Sequence, residues 1–130
     1  MVRRAFAAWA RGTGSVYDLM DDDAEIVIPG TTAHSGTYRK DVFLAEVAGP
    51  FVARFAAPPL RRLVALWSDG SAVVVRAEAR GVTLSGASYV NAYMFIFECV
   101  GRRIARLTEF LDMAAFEAVW DRVEPPRHGG

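Results

Sequence analysis

The chain has 130 residues, 52% of them hydrophobic and 23% charged, enough for one domain around a single core and too little for two. Fifteen Lys and Arg balance fifteen Asp and Glu, so no net field gathers nucleic acid or an anionic membrane, and neither is expected as a partner. The lone cysteine, Cys99, excludes an internal disulfide, and no Cys/His group has the spacing of a zinc site.

Residues 2–11 place Phe6, Trp9 and Ala10 on one side of a helix that Gly12-Thr13-Gly14 stops. Ser15-Val16-Tyr17-Asp18 reads as a capping box opening a second helix, with Tyr17, Leu19 and Met20 apolar. That helix is expected to end at Asp21-Asp22-Asp23, whose charges its C-terminal dipole disfavours. Residues 24–28 form a short strand closed by Pro29-Gly30, and a polar loop follows through His34 to Gly36. Residues 39–55 are helical in pattern, with a break at Gly49-Pro50. From Leu60 onward the apolar period falls to two, giving strands over 60–67, 72–80, 85–99 and 103–111. Asp69-Gly70 suits a type I′ hairpin turn between the first two, and Gly101-Arg102 turns the last hairpin. Asp112 caps a final helix over 113–123, with Phe116, Val119, Trp120 and Val123 as its buried stripe. The fold class is therefore α+β, with helices against one side of a curved antiparallel sheet. One domain spans residues 1–124, and a tail at 125–130, Pro-Pro-Arg-His-Gly-Gly, is expected to be disordered.

The longest uncharged stretch, 81–97, carries Thr83, Ser85, Gly86, Ser88 and Asn91, too short and too polar to span a bilayer. Six apolar residues between Arg4 and Arg11 are too few for a signal-peptide core, so a cytoplasmic location is expected. No Gly-rich phosphate loop, nucleophile elbow or HExxH motif is present, and no cofactor or metal is implied.

The strands carry polar residues that a plain alternation does not explain. Over 72–80, Val73, Val75, Ala77 and Ala79 share one side, and Val74, Arg76, Glu78 and Arg80 share the other, which alternation alone turns to water. In the next strand Tyr89, Asn91, Tyr93, Phe95 and Phe97 line one side and Val90, Ala92, Met94 and Ile96 the other, so both sides are apolar enough to be covered. In the last strand Glu109 shares a face with Ala105, Leu107 and Leu111, where a carboxyl needs a partner or stays protonated. Two readings stand. Arg76 and Glu78 form an exposed ion pair and Glu109 neutralises a nearby arginine at a sheet edge, or Arg76, Glu78, Asn91 and Glu109 converge in a cavity where two carboxylates sharing one guanidinium act as acid and base.

The segments Ile28-Pro29-Gly30…His34-Ser35-Gly36-Thr37-Tyr38-Arg39 and Ser85-Gly86-Ala87-Ser88-Tyr89-Val90-Asn91-Ala92-Tyr93…Glu109-Phe110-Leu111-Asp112, with the order of elements, resemble the SnoaL-like branch of the nuclear-transport-factor-2-like superfamily. The resemblance covers about residues 2 to 123 and implies a cone of curved sheet and helices around an apolar pocket. The branch includes polyketide cyclases, ketosteroid isomerases and limonene-epoxide hydrolases. Arg76-Ala77-Glu78 and Glu109 match the Arg-x-Asp and later Asp of the epoxide hydrolases, with Glu for each Asp and the same interval. That match implies Glu109 as the base that activates water, Glu78 as the acid that protonates the epoxide oxygen, and Arg76 as the bridge between them, all facing inward. The hydrolases' other water-holding Tyr and Asn fall at Ile26 and Ile28. The ketosteroid isomerases' base falls at Ile28 and their oxyanion-holding Tyr near Ala5 or Phe6, which sets isomerisation of that kind aside.

His34, in a loop that rims the pocket in this superfamily, and Tyr89, Asn91, Tyr93 and Leu111 are the expected substrate-binding residues. The expected ligand is a small, mostly apolar molecule bearing an oxygen function, processed without a cofactor by hydrolysis, isomerisation or cyclisation. A binding module without turnover and a dimeric scaffold are the alternatives. Val90, Ala92, Met94 and Ile96 suit a homodimer through the outer sheet face.

Overall fold

A computed structural model of the chain describes residues 1–126. Its elements are α1 (Val2–Ala10), a 3₁₀ turn (Val16–Leu19), β1 (Met20–Ile28), β2 (Gly36–Arg39), α2 (Lys40–Phe43), a π-helical turn (Leu44–Ala48), α3 (Gly49–Val52), β3 (Leu60–Asp69), β4 (Ala72–Val82), β5 (Ser88–Val100), β6 (Arg103–Leu111) and α4 (Met113–Arg122). The six strands form one sheet in the order β2-β1-β6-β5-β4-β3. Every neighbouring pair is antiparallel except β1 and β6, which run parallel. The α+β class and the β3 to β6 meander match the sequence reading. The last four residues of the expected tail lie outside the described part, and among the described residues no helix is long and apolar enough to cross a membrane.

Several elements depart from expectation for local reasons. The second helix is only one 3₁₀ turn. Its capping box is present, with Ser15 Oγ accepting from Tyr17 N at 3.2 Å and Asp18 Oδ2 accepting from Ser15 N at 3.0 Å. The chain is extended by Met20, so Asp21, Asp22 and Asp23 project into solvent from a strand rather than from a helix end. The expected loop before Arg39 holds β2, an edge strand paired to β1 from Glu25↔Arg39 to Ile28↔Gly36. The break at Gly49-Pro50 becomes a widened turn, in which Gly49 N–H reaches back to Leu44 O across the π-helical segment. Pro50 has no N–H and its ring crowds the carbonyl one turn back, and the wider turn relieves both. A Cβ at Gly49 would sit 2.8 Å from Leu44 O. Between β3 and β4 the turn residues are Gly70-Ser71, flanked by the pair Asp69↔Ala72. Only Gly70 has positive φ, at +59°, which fits a type II′ turn and excludes type I′.

Two bulges decide which side chains reach the interior. In β3 the register slips at Val64, between Leu63↔Ala77 and Ala65↔Arg76. Arg61 and Leu63 therefore face inward before the slip and Leu66 after it, while Arg62 and Val64 face out. In β6, Glu98↔Arg106 is followed by Cys99↔Ile104, which leaves Ala105 unpaired and exposed. Ile104, not Ala105, joins Leu107 and Glu109 on the buried face.

The core lies between the inner sheet face and the helices, with Phe6, Met20, Ile26, Phe43, Phe95, Phe97 and Leu107 among its buried members. Arg54 fastens the C-terminal end of α4 to this layer. Its Nη1 donates to Pro50 O at 2.8 Å and its Nε to Val123 O at 2.8 Å, with the guanidinium 4.0 Å from the Trp120 ring centroid. Replacing Arg54 with Ala strips these buried carbonyls of a charged donor. It is expected to lower unfolding stability by about 2–3 kcal/mol, read by urea denaturation.

Candidate functional site

The helices stand off the inner sheet face far enough to leave a hollow whose empty space, open mouth included, is about 580 Å³. Trp9, Phe43, Phe51, Phe95 and Phe116 supply most of its wall. The polar groups in it are Tyr17, Arg61, Tyr93 and Glu109, with Glu78 at its border.

Glu109 is buried on β6, opposite Phe95 on β5. Tyr17, held by the capped 3₁₀ turn, donates its hydroxyl to Glu109 Oε1 at 2.6 Å. Burial drives the Glu109 pKa up to about 7, against the Tyr17 hydrogen bond and the positive field of Arg61, which both pull it down. Tyr17 itself is raised well above the ordinary phenol range, first by burial and then by the Glu109 charge. Arg61 enters from β3, its guanidinium 4.2 Å from the Trp9 ring centroid and its Nη1 donating to Pro59 O at 3.0 Å.

Tyr93 lines the same hollow. Its hydroxyl lies 2.6 Å from that of Tyr89, which accepts from Asn91 Nδ2 at 2.8 Å. Asn91 also donates to Asp112 O and accepts from Asp112 N, both at 3.1 Å, and accepts from Ala92 N at 2.8 Å. All of its amide groups are engaged. It fixes the start of α4 and aims the Tyr89 hydroxyl, and it does not line the hollow. Tyr89 sits behind the wall, edge-on to Phe51 and Phe55. Leu111 lines the hollow as expected.

His34 faces a smaller adjoining chamber that shares Glu109, Leu111 and Phe116 with the main hollow. Its Nδ1 lies 2.7 Å from Glu117 Oε1 and 2.9 Å from Oε2, and its ring rests 4.2 Å from that of Trp120. The pocket-loop placement is thus met, with a carboxylate partner on α4 that the sequence pattern does not reveal.

The expected Arg76–Glu78–Glu109 trio does not form. Unbroken alternation in β4 turns Val75, Ala77 and Ala79 inward and leaves Arg76 exposed on the outer face. Glu78 reaches the border of the hollow, yet its carboxylate pairs across the sheet with Arg62 Nη2 at 2.8 Å, on an exposed arginine. That pair holds Glu78 below the usual carboxylate range. It is an exposed ion pair, with Arg62 rather than Arg76 as the cation. Tyr17 and Arg61 are the residues missed. Tyr17 was visible only as an apolar helix position, and Arg61 reads as one of two adjacent arginines until the side chains of β3 are assigned to faces.

No protein-family model matches the chain, and no curated protein matches it in sequence. Solved structures do match in fold. Bal32a, from a soil-derived mobile gene cassette, is 22% identical with a TM-score of 0.73 over 92% of each chain. An NTF2-like protein from Burkholderia thailandensis E264 is 15% identical with a TM-score of 0.73, over 92% of this chain and 94% of that one. A candidate SnoaL-like polyketide cyclase from Jannaschia sp. CCS1 is 19% identical with a TM-score of 0.65, over 91% and 87%. The chain has the NTF2-like cone fold that these structures share.

A glutamate ionising near 7 when folded and near 4.5 when unfolded is protonated only in the folded state between those values. Stability then falls as pH rises through that window, because the unfolded chain releases the proton first. From pH 5 to pH 8 the wild type should lose about 2.5 kcal/mol relative to Glu109→Gln, measured by urea denaturation at both pH values. Equal losses in the two proteins would remove the buried ionisation from the site.

Proposed function

We propose that the protein is a cofactor-free enzyme of acid–base chemistry. It would act on a small, mostly apolar molecule with a carbonyl or enol oxygen, by isomerisation or cyclisation. The observation that carries the reading is the buried Glu109 carboxyl, balanced near neutral pH and hydrogen-bonded to Tyr17 inside an aromatic hollow. A carboxyl with a pKa near the working pH both takes and returns protons with little penalty.

Tyr17 occupies Oε1 and leaves Oε2 for the ligand. In the ionised form Glu109 removes a proton from carbon next to the carbonyl, and the electron pair moves onto the oxygen as an enolate. Tyr93, backed by Tyr89, donates a hydrogen bond to that oxygen. Where a C=C next to that carbon makes the enolate a dienolate, Glu109 returns the proton at its far carbon and the double bond shifts; otherwise the enolate carbon attacks a second carbonyl of the ligand, whose oxygen takes the proton back from Glu109 as the ring closes. The apolar wall keeps water from quenching the enolate. A phenol beside a carboxyl with a raised pKa is a known way to hold a developing oxyanion. Here that phenol is Tyr93 on β5, not a residue of α1 where the sequence resemblance put it, and Tyr17 of the 3₁₀ turn binds the carboxyl itself.

Epoxide opening by two carboxylates is not part of this reading, because the Glu78 carboxylate is engaged by Arg62. Binding without turnover is the second reading, since Glu109 is the one carboxylate aimed into the hollow among the described residues. The SnoaL-like neighbour supports a small-molecule role without fixing which. The unpaired thiol of Cys99 fits a cytoplasmic setting. Val90 and Met94 are 57% and 37% exposed on the outer face. We propose that a second copy covers them, and light scattering at micromolar concentration should give a dimer mass; a monomer would contradict this.

With 2-tetralone as an apolar ketone probe in D₂O, α-hydrogen exchange followed by NMR should rise with pH through about 7. Glu109→Gln should slow it by about 10²–10⁴-fold. Tyr17→Phe removes a hydrogen bond that favours the ionised carboxyl, so the rising limb should move to higher pH. Saturable binding of 2-tetralone with no faster exchange would favour the binding module.

A further inference from the structure

The hollow contains a guanidinium that the acid–base reading does not use. Arg61 lines both the hollow and a neighbouring surface cleft that shares Trp9 and Tyr17 with it. Its one hydrogen bond among the described residues goes to a backbone carbonyl, Pro59 O, although a guanidinium carries five N–H donors. One flat face is taken by the Trp9 ring, which leaves the edge of the fork for a guest. No carboxylate among the described residues lies within ion-pair distance of it, in contrast to its neighbour Arg62, which is paired with Glu78.

The ionisable groups that act on Arg61 are Tyr17, Tyr93, Glu109 and Tyr89. The three phenols are all pushed toward their neutral forms by burial. From α2, the π-helical turn and α3 the wall receives Phe43, Val47, Ala48, Phe51 and Val52, none of them charged, and from α1 it receives Phe6 and Trp9. Glu78 at the border is taken by Arg62, so among the described residues Glu109 is the one local group able to balance Arg61, and it does so only when ionised. When Glu109 carries its proton, the hollow holds one uncompensated positive charge inside an apolar wall. A charge in that setting favours a counter-ion strongly, and a planar fork favours a carboxylate or enolate over a spherical ion.

We propose that the hollow takes its ligand as a monoanion, an apolar ring system bearing one carboxylate or ionised enol, seated on Arg61 and bound together with a proton on Glu109. The inference rests on the hollow being the small-molecule site and goes further by naming the charge of the molecule; toward an ionised enol Glu109 then serves as the acid that delivers the proton, and it serves as the base only toward a neutral ketone such as 2-tetralone. Ligand and Glu109 compete for the same cation. Raising the pH ionises Glu109, which both neutralises Arg61 and repels the incoming anion, so binding weakens. The neutral partner of such a pair has no charge to lose and its affinity stays flat.

Benzoate and benzyl alcohol, matched in shape and different in charge, separate the possibilities by calorimetry on the intact chain. At pH 6 benzoate should bind at least tenfold more tightly than benzyl alcohol. Its Kd should rise about tenfold from pH 6 to pH 8, as expected for uptake of one proton by a group titrating near 7, while benzyl alcohol changes little. Glu109→Gln should keep the preference for benzoate and abolish its pH dependence. Arg61→Gln should remove the preference, and Arg61→Lys should restore part of it, which separates lost charge from a misfolded site. Failure of benzoate to bind, equal affinity for the two probes at pH 6, or an Arg61→Gln variant that still prefers benzoate would each overturn the proposal. Binding needs no turnover, so anion preference without 2-tetralone exchange would leave this inference standing and remove the catalytic reading alone.

Discussion

The site depends on one acidic side chain set where an apolar one would pack more cheaply. Glu109 lies on the inner face of β6, between Leu107 and Leu111 along the strand and across from Phe95. Its charged form loses water there, and among the described residues the only direct hydrogen bond it receives comes from Tyr17. One donor offsets part of that loss and not all of it, which leaves the carboxyl balanced near neutrality rather than fixed in either state. The neighbouring features follow from keeping that balance. The 3₁₀ turn is capped by Ser15 so that Tyr17 is held in place, and the helices enclose the hollow without filling it.

Electrostatic balance inside the hollow is set by strand geometry more than by charge number. Arg61 and Arg62 are adjacent and chemically identical, yet the pleat sends one into the hollow and the other to the surface. The outward arginine finds a carboxylate in Glu78, and the inward one finds the face of Trp9 and a backbone carbonyl. The bulge at Val64 lets this assignment coexist with Leu66 facing the core further along the same strand. The polar network from Asn91 through Tyr89 to Tyr93 adds a second fixed donor while tying α4 to β5.

Much of this was legible in the sequence where a simple period operates. The aromatic face of β5, the Asp112 cap and the capping box at Ser15 all follow from spacing, and the structure has each of them, while spacing left Glu109 between a sheet edge and the interior and the structure buries it. Arg76 and Glu78 show the opposite. Plain alternation turned them outward, and a spacing shared with epoxide hydrolases suggested inward; the structure keeps the alternation, because Val75, Ala77 and Ala79 fill the inner face. Ala105 and Ile104 exchanged roles through a bulge that no residue type announces. Tyr17 was recognised as apolar but not as a hydrogen-bond donor to Glu109, because that contact joins residues 92 positions apart and depends on the sheet curling under the helices. Arg61 stayed hidden because its orientation depends on its register against β4, which the sequence does not state.

The account turns on the ionisation of Glu109, and the most direct measurement is a ¹³C NMR titration of its side-chain carboxyl, assigned by comparison with Glu109→Gln. A midpoint about 7, moving upward in Tyr17→Phe, is the predicted result. A midpoint in the ordinary glutamate range, unmoved by the loss of the Tyr17 hydroxyl, would contradict it.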